Sequence, residues 1–391
     1  MMKLWPTMKR RFCQVKFTAK FYFIYILTRF FKNDNKELWL LSERGIDARD
    51  NGLFFYNYLK SSHPEIRLKY VISNNSPDRK KINGNDIVRY RSFQHYMLYI
   101  QAKYLVSTHY QGYSPDFELF GQLDRRGLIR VNGKKIFLQH GIIKDKANMS
   151  KKTRPLDLFI CGAQEEYDAL LAETDYGDNI LKYTGLARYD NLFCFLEKPV
   201  KKQILVMPTW RVKFAKATEK DFLNSDYYKN YNQLINDPDL NDYLEKNNIR
   251  LVFYPHIEMH RFLHLFECDK PHVQISGMNQ NDVQKLLIES KLLITDFSSV
   301  FFDFAYQKKP VIFFQFDKKD YRSSHYEEGW FSYEHDGFGP VIENKNAVVA
   351  AIPDLFTNGM SQIYMERVNR IFKRRDNHNC DRIFTEIQRL G

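Results

Sequence analysis

The sequence predicts an α/β protein built on doubly wound parallel sheets. Three observations carry this. Short apolar, β-prone runs alternate with helical runs along most of the chain, as in βαβ units. The pattern restarts after the polar stretch CFLEKPVKK at 194–202, so it describes two similar halves. The 391 residues are also too many for one ordinary core. Three segments follow: a basic aromatic stretch at 1–35, an N-terminal half at 36–197 and a C-terminal half at 198–391.

Residues 3–32 interleave Lys9, Arg10, Arg11, Lys16, Lys20, Arg29 and Lys32 with Phe17, Phe21, Phe23, Ile24, Ile26 and Phe30, without an acid. The apolar run Phe21–Leu27 is too short to span a bilayer. Two readings stand: a helix on an anionic membrane surface, or a terminal helix packed on the body. Strands are then expected at Glu37–Leu41, Leu68–Ile72, Ile87–Tyr90, Tyr104–Ser107, Lys135–Leu138, Asp157–Cys161 and Leu181–Thr184. Helices are expected from Asp50-Asn51-Gly52 to Leu59, from Ser92 to Lys103 and over Ala163–Glu173. Asp116–Arg130 reads as a loop or irregular helix. Beyond the polar stretch, strands are expected at Gln203–Met207, Arg250–Tyr254 and Val273–Ile275, with a helix at Asn281–Ser290. Leu292–Phe316 then reads strand, turn, short apolar helix, strand, with Asp296, Ser298 and Ser299 as helix-capping residues at the turn. Asn346–Thr357, Tyr364–Phe372 and the tail read as helices.

The formal net charge of +12 suits an acidic partner: nucleic acid, an anionic membrane or phosphorylated substrates. No nucleic-acid recognition module is visible, so that class ranks last. Five scattered cysteines without a CxxC fit neither a disulfide framework nor a zinc site. Neither GxGxxG nor GxxxxGK[ST] occurs.

Ligands of open α/β sheets bind beyond the carboxyl ends of the strands. The residues there are Ser42-Glu43-Arg44, His109 and His140 in the first half. In the second half they are Arg211, His256 and Asp296 with Ser298 and Ser299. Two such edges facing each other make a cleft suited to a diphosphate: Arg grips it with two bonds, His moves a proton, and a helix start offers N–H donors. Each residue also has a plainer reading. Ser298 and Ser299 can be ordinary caps, and Arg211 can pair with a carboxylate. Asp303, one helical turn after Ser299, either binds substrate or is a helper that fixes Ser299 or a cationic neighbour. His256, His260 and His264 recur every four residues, which on an α-helix would suggest a metal site. They lack the Glu of an HExxH arrangement, and Pro255 argues against a helix through His256.

ITDFSSVFFDFA (Ile294–Ala305) followed by KKPVIFF resembles the signature of the CDP-glycerol glycerophosphotransferase family, the teichoic-acid-type polymerases and primases. SERGIDARDNGLFFYNYL, LQHG (Leu138–Gly141), TGLARYDNL, MPTWR and FYPH resemble further family segments, in the family's order. The resemblance covers about residues 37–345. It implies a GT-B-like pair of Rossmann-like domains facing a central cleft, acceptor side first and CDP-donor side second, with no metal or cofactor required. It implies transfer of glycerol phosphate, or ribitol phosphate, from CDP-glycerol or CDP-ribitol to a hydroxyl of a polyprenyl-linked or polymer acceptor. CMP leaves, and the reaction takes place at the cytoplasmic face of the membrane. Carried over by position, His140 is the general base. His256, Ser298 and Ser299 hold the pyrophosphate with Arg211 nearby, and Asp296 orients the turn or contacts the donor. Arg188, Asp303, Glu43 and Arg44 would support them.

The chain departs from the pattern at Ile142-Ile143-Lys144-Asp145, where Thr-Pro-Leu-Lys is usual. It also has Ala187 for proline, and Glu328-Gly329 for Arg-Gly. These changes bear on the acceptor, so a capsule-type polymer stands beside teichoic acid. A GT-B glycosyltransferase using a nucleotide sugar is the alternative activity, and a non-catalytic assembly factor the third.

Overall fold

A computed structural model of the chain describes residues 4–28, 37–277, 282–324 and 327–391. Two parallel sheets organise it. The first contains β1 (Trp39–Ser42), β2 (Leu68–Ile72), β3 (Ile87–Arg89), β4 (Tyr104–Ser107), β5 (Lys134–Phe137), β6 (Leu158–Cys161) and β7 (Leu181–Tyr183). Their spatial order is β3-β2-β1-β4-β5-β6-β7. The second contains β8 (Gln203–Val206), β9 (Arg250–Phe253), β10 (Val273–Ile275), β11 (Leu292–Thr295), β12 (Val311–Phe314) and β13 (Val341–Ile342), in the order β10-β9-β8-β11-β12-β13. All the pairings are parallel. Central strands such as β1, β4, β8, β11 and β12 are buried at every residue. That is why they read as unbroken apolar runs rather than alternating ones. Strand order reverses between β1 and β4 and again between β8 and β11. Each reversal opens a crevice at the strands' carboxyl ends.

The expected strands are all present to within two residues, and β13 adds a two-residue edge strand. The 219–247 region, which carried no expected element, forms helices Glu219–Leu223, Asp226–Ile235 and Pro238–Asn247. Each begins at a side-chain cap, from Thr218, Ser225 and Asp237. Phe117–Arg125 is a regular helix capped by Asp116. The expected start at Asn281 lies outside the described residues; the helix runs over Val283–Glu289.

The N-terminal helix, Leu4–Thr28, carries two apolar stripes. Phe21 and Ile24 are buried with Tyr96, Tyr99 and Phe120, and Lys20 Nζ donates to the Arg91 carbonyl at 3.0 Å. Val15, Phe23 and Ile26 are 68%, 62% and 56% exposed on another face. The helix therefore packs on the body and still leaves an apolar stripe uncovered. No helix among the described residues is long and apolar enough to cross a membrane; Arg29 and Lys32 lie outside them.

The last helix, Asn379–Gln388, was expected with the C-terminal half but packs on the N-terminal one. Phe384 stacks on Trp39 and His63, Tyr58 Oη donates to Asp381 at 2.6 Å, and the Asn379 and Cys380 backbone N–H groups bond the Asp190 carboxylate. Amphipathic spacing shows that a helix has a buried face, but not which sheet covers it.

Candidate active site

The first half's contribution starts at the end of β5. Gln139 has φ +60°, a left-handed conformation that costs a non-glycine residue about 1–2 kcal/mol. Two bonds hold it: Asn51 Nδ2 donates to the Gln139 carbonyl at 2.8 Å, and Gln139 Nε2 donates to the Ile160 carbonyl at 2.6 Å. This kink turns the chain out of the strand at His140. The His140 side chain is open to solvent although protein surrounds it closely, as at the floor of a recess. Its pKa is pushed down to about 4, first by that surrounding protein and then by the Arg188 and Arg44 charges; a bond to the Thr108 backbone pulls the other way. His140 is thus neutral at pH 7, as a general base must be. The His109 ring lies parallel to it, with centroids 4.8 Å apart, and burial pushes its pKa down to about 3. Glu166, fully buried, braces the loop from behind by accepting the Ile143 and Gly162 N–H groups at 2.5 and 2.7 Å.

The second half presents the turn after β11. Asp296 is fully buried and accepts from the backbone N–H groups of Thr209 and Phe297 at 2.8 and 2.6 Å. It therefore orients the turn rather than facing the cleft. Ser298 and Ser299 are half-buried at the start of helix Val300–Tyr306, and the Ser299 side chain makes no capping bond. His256 stands after β9 beside Trp210, and its Nδ1 accepts the Glu258 N–H at 3.2 Å. When neutral it must carry its proton on Nε2, so it presents an N–H donor. Its pKa is lowered, mainly by burial.

The two halves meet at this point. A β-carbon built on Gly141 would lie 3.1 Å from Ser299 Oγ and 3.9 Å from Arg188 Nη2. Glycine lets the His140 loop touch the serine turn. Arg188 ties the same junction. It pairs with both oxygens of Asp303 at 2.7 and 2.8 Å, with Asp50 at 2.7 Å, and donates to the His140 carbonyl at 3.1 Å. Asp303 thus fixes a cationic neighbour. Arg44 pairs with Asp47, and its charge reaches His109, His140 and His256.

Two expected residues sit elsewhere. Arg211 is 1% exposed. Asp296 and Asp317 pair with its guanidinium, which lies among the Tyr227, Phe297 and Tyr321 rings. It takes the plainer reading, a carboxylate partner beneath the turn, and does not reach the cleft. Glu43 is also buried, and caps the start of helix Asn51–Ser62 by accepting from Arg49, Asp50 and Leu53 N–H groups. It shapes the loop rather than contacting a ligand. His256, His260 and His264 fall on a 3₁₀ segment, whose tighter winding puts residues four apart on different faces. His260 bonds the Pro255 carbonyl and His264 pairs with Glu219. Among the described residues, no group of three or more His, Cys, Asp or Glu side chains could hold a metal ion.

The segments that depart from the family pattern pair with each other. Asp145 and Glu328 form an isolated antiparallel bridge, Trp330 Nε1 donates to the Ile143 carbonyl at 2.7 Å, and a β-carbon on Gly329 would meet backbone of residues 144–146 at 2.6–2.8 Å. Lys144 is buried against Asp145 and the Tyr333 ring. Asn51, Gln139 and Glu166, which hold the His140 loop, were not among the expected site residues. The signal for Asn51 and Gln139 was their position beside Asp50 and His140; nothing local marked Glu166.

Residues 23–389 match the family model described as CDP-Glycerol:Poly(glycerophosphate) glycerophosphotransferase. The minor teichoic acid biosynthesis protein GgaB of Bacillus subtilis (strain 168) is 32% identical over 91% of this chain and 40% of its own length. A teichoic acid poly(glycerol phosphate) polymerase of Staphylococcus epidermidis is 25% identical over 88% of this chain and 49% of its own length. The chain therefore spans about half or less of these relatives. The solved structure of the wall teichoic acid polymerase TagF superposes with a TM-score of 0.69 at 19% identity, covering 97% of this chain and 99% of that one. The fold is accordingly the GT-B-like pair of parallel-sheet units. On a family match that spans nearly its whole length, this chain belongs to the CDP-glycerol:poly(glycerophosphate) glycerophosphotransferase family.

Proposed function

We propose that this chain transfers a polyol phosphate, glycerol phosphate in the first instance, from its CDP-activated form to a hydroxyl of a cell-surface polymer under construction. The contact between the His140-Gly141 loop and Ser299 carries the reading: it sets the loop of a neutral imidazole against a helix start whose Ser299 hydroxyl makes no capping bond. The acceptor hydroxyl gives its proton to His140 as its oxygen attacks the β-phosphorus. The bond from that phosphorus to the bridging oxygen breaks, and CMP leaves. His256 Nε2–H and the turn at Ser298 and Ser299 hold the pyrophosphate oxygens as charge builds on the leaving group. In such reactions the protein mainly positions reactants and meets developing charge, and this set supplies N–H and O–H donors where that charge develops.

The relatives support the donor class. Staphylococcus aureus TarL, 27% identical over 48% of this chain, is named a teichoic acid ribitol-phosphate polymerase, and a histidine variant of TagF has been solved with CDPG. The uncovered stripe of Val15, Phe23 and Ile26 suits contact with an anionic membrane surface, where a polyprenyl-linked acceptor is held. On this reading the protein works peripherally, at the cytoplasmic face. CDP-glycerol and CDP-ribitol labelled at the β-phosphorus test the activity. Label should pass into polymer, and His140→Ala should nearly abolish the transfer. Consumption of a UDP-sugar with no label transferred would show a glycosyltransferase instead.

A further inference from the structure

The cations around the cleft have carboxylate partners. Arg44 pairs with Asp47, Arg188 with Asp50 and Asp303, Lys144 and Arg322 with Asp145, and Lys146 with Glu327. Arg154 differs. Among the described residues no carboxylate lies within ion-pair distance of its guanidinium. Its Nη1 donates to the Met149 sulfur at 2.9 Å, a weak acceptor, and its charge lies 6.0 Å from the Tyr110 ring centroid. The turn that carries it is built, not loose. Ser150 and Thr153 bond each other through side chain and backbone. The buried Tyr176 Oη donates to the Ser150 and Arg154 carbonyls at 3.2 and 2.7 Å, and Asp175 accepts the Lys151 N–H. Lys151 and Lys152 extend from the same turn into solvent. Tyr110 follows His109, whose ring stacks on His140, so this turn borders the base.

We propose that the turn Ser150–Arg154 binds a phosphodiester of the acceptor, with Arg154 as the central group and Lys151 and Lys152 beside it. A guanidinium held on a built turn without a carboxylate keeps its charge open to an anion, and its fork matches two phosphate oxygens. The inference rests on the polyol phosphate transfer proposed above: an acceptor already extended once carries a phosphodiester a few bonds from its reactive hydroxyl. An anionic lipid headgroup offers the same chemistry and is the other source to distinguish.

The test uses the full chain and a fluorescent synthetic oligo(glycerol phosphate), titrated without donor. Arg154→Ala should weaken its binding about tenfold or more, Arg154→Lys should recover part of the loss, and Lys151→Ala with Lys152→Ala should flatten the salt dependence. Binding of CDP-glycerol and of vesicles containing phosphatidylglycerol should stay as in the unmutated chain. Equal oligomer affinity in the unmutated chain and Arg154→Ala, or a loss confined to vesicles, would overturn the proposal. Should Arg154→Ala fail to fold, the exposed lysine pair decides: an unchanged salt dependence overturns it. Oligomer binding that depends on Arg154, in a chain that transfers label from neither CDP-glycerol nor CDP-ribitol, would uphold the subsite and sink the transferase reading.

Discussion

Breaking the Arg188–Asp303 pair should loosen both walls of the cleft together. The two side chains are 9% and 8% exposed and share two short bonds. Removing one partner of such a buried pair costs about 3–5 kcal/mol, because the other is left as an uncompensated charge. Asp50 still holds Arg188 at 2.7 Å and the His140 carbonyl accepts from it at 3.1 Å, so Asp303→Ala belongs at the lower end, about 3 kcal/mol. Replacing both partners by apolar residues, Arg188→Met with Asp303→Leu, leaves no charge stranded within this pair but frees Asp50 and the His140 carbonyl, so it should cost less than the sum of the two single replacements. Arg188 contacts residues of both halves, so the loss is local to the junction. Hydrogen exchange reads it: amides of helices Asn51–Ser62 and Val300–Tyr306 should lose protection together, while β2 and β9 keep theirs. Transfer activity should fall in step, since Arg188, which bonds the His140 carbonyl, loses the carboxylate that fixes it from the second half. Protection in both helices within about 0.5 kcal/mol of the unmutated chain would refute the reasoning, as would a double replacement as costly as the sum of the singles.

Three further outcomes are expected. With His140 at about 4, kcat/KM should be level from neutral pH down to about pH 5 and fall only as the ring gains its proton below that. Arg44→Gln removes a cation that lowers this pKa and should move the acid limb upward; a limb already near the ordinary histidine value of about 6.5 in the unmutated chain would contradict the geometry. Gly141→Ala pushes a methyl to 3.1 Å from Ser299 Oγ and should lower kcat about tenfold or more, with circular dichroism unchanged, because small misplacements of reacting groups are costly. Phe23→Ser with Ile26→Ser should weaken binding to anionic vesicles about tenfold or more without lowering the thermal midpoint, as both are exposed; Phe21→Ser, in the packed stripe, should lower the midpoint instead.

The sheets were legible because strands buried on both faces leave continuous apolar runs that stop at polar residues. The helices at 219–247 were missed although Tyr227, Tyr231, Leu234 and Ile235 have helical spacing and all are buried; a region rich in Tyr and Asn reads as polar until the rings are counted as core. The histidine series failed as a metal site through backbone geometry, since the four-residue period has meaning on an α-helix and not on a 3₁₀ one. Arg211 and Arg188 are both arginines in family-like segments and both are buried, and neither segment says which one reaches the junction of the two halves. Arg211 lies just beyond a central strand and closes under the Asp296 turn, whereas Arg188 starts a helix at the junction, with partners 138 and 115 residues away. Burial of a charge depends on where its counter-charges arrive, and that is a property of the tertiary fold.

The same reasoning applies to the departures from the family pattern. In the sequence, Lys144-Asp145 and Glu328-Gly329 are separate oddities. In space they share a bridge, and Arg322 joins them, pairing with Asp145 and lying 3.5 Å from Glu328. An arginine at position 328 would set a second cation against Arg322, so the acid there compensates what surrounds it. Gly329 is required by the same contact, because any β-carbon would strike the backbone at 144–146. The changes therefore behave as one adaptation of the loop that follows His140. The turn at Ser298 and Ser299 keeps the residues of the family-like signature, so under the proposed function this chain's individuality lies beside His140, on the side assigned there to the acceptor.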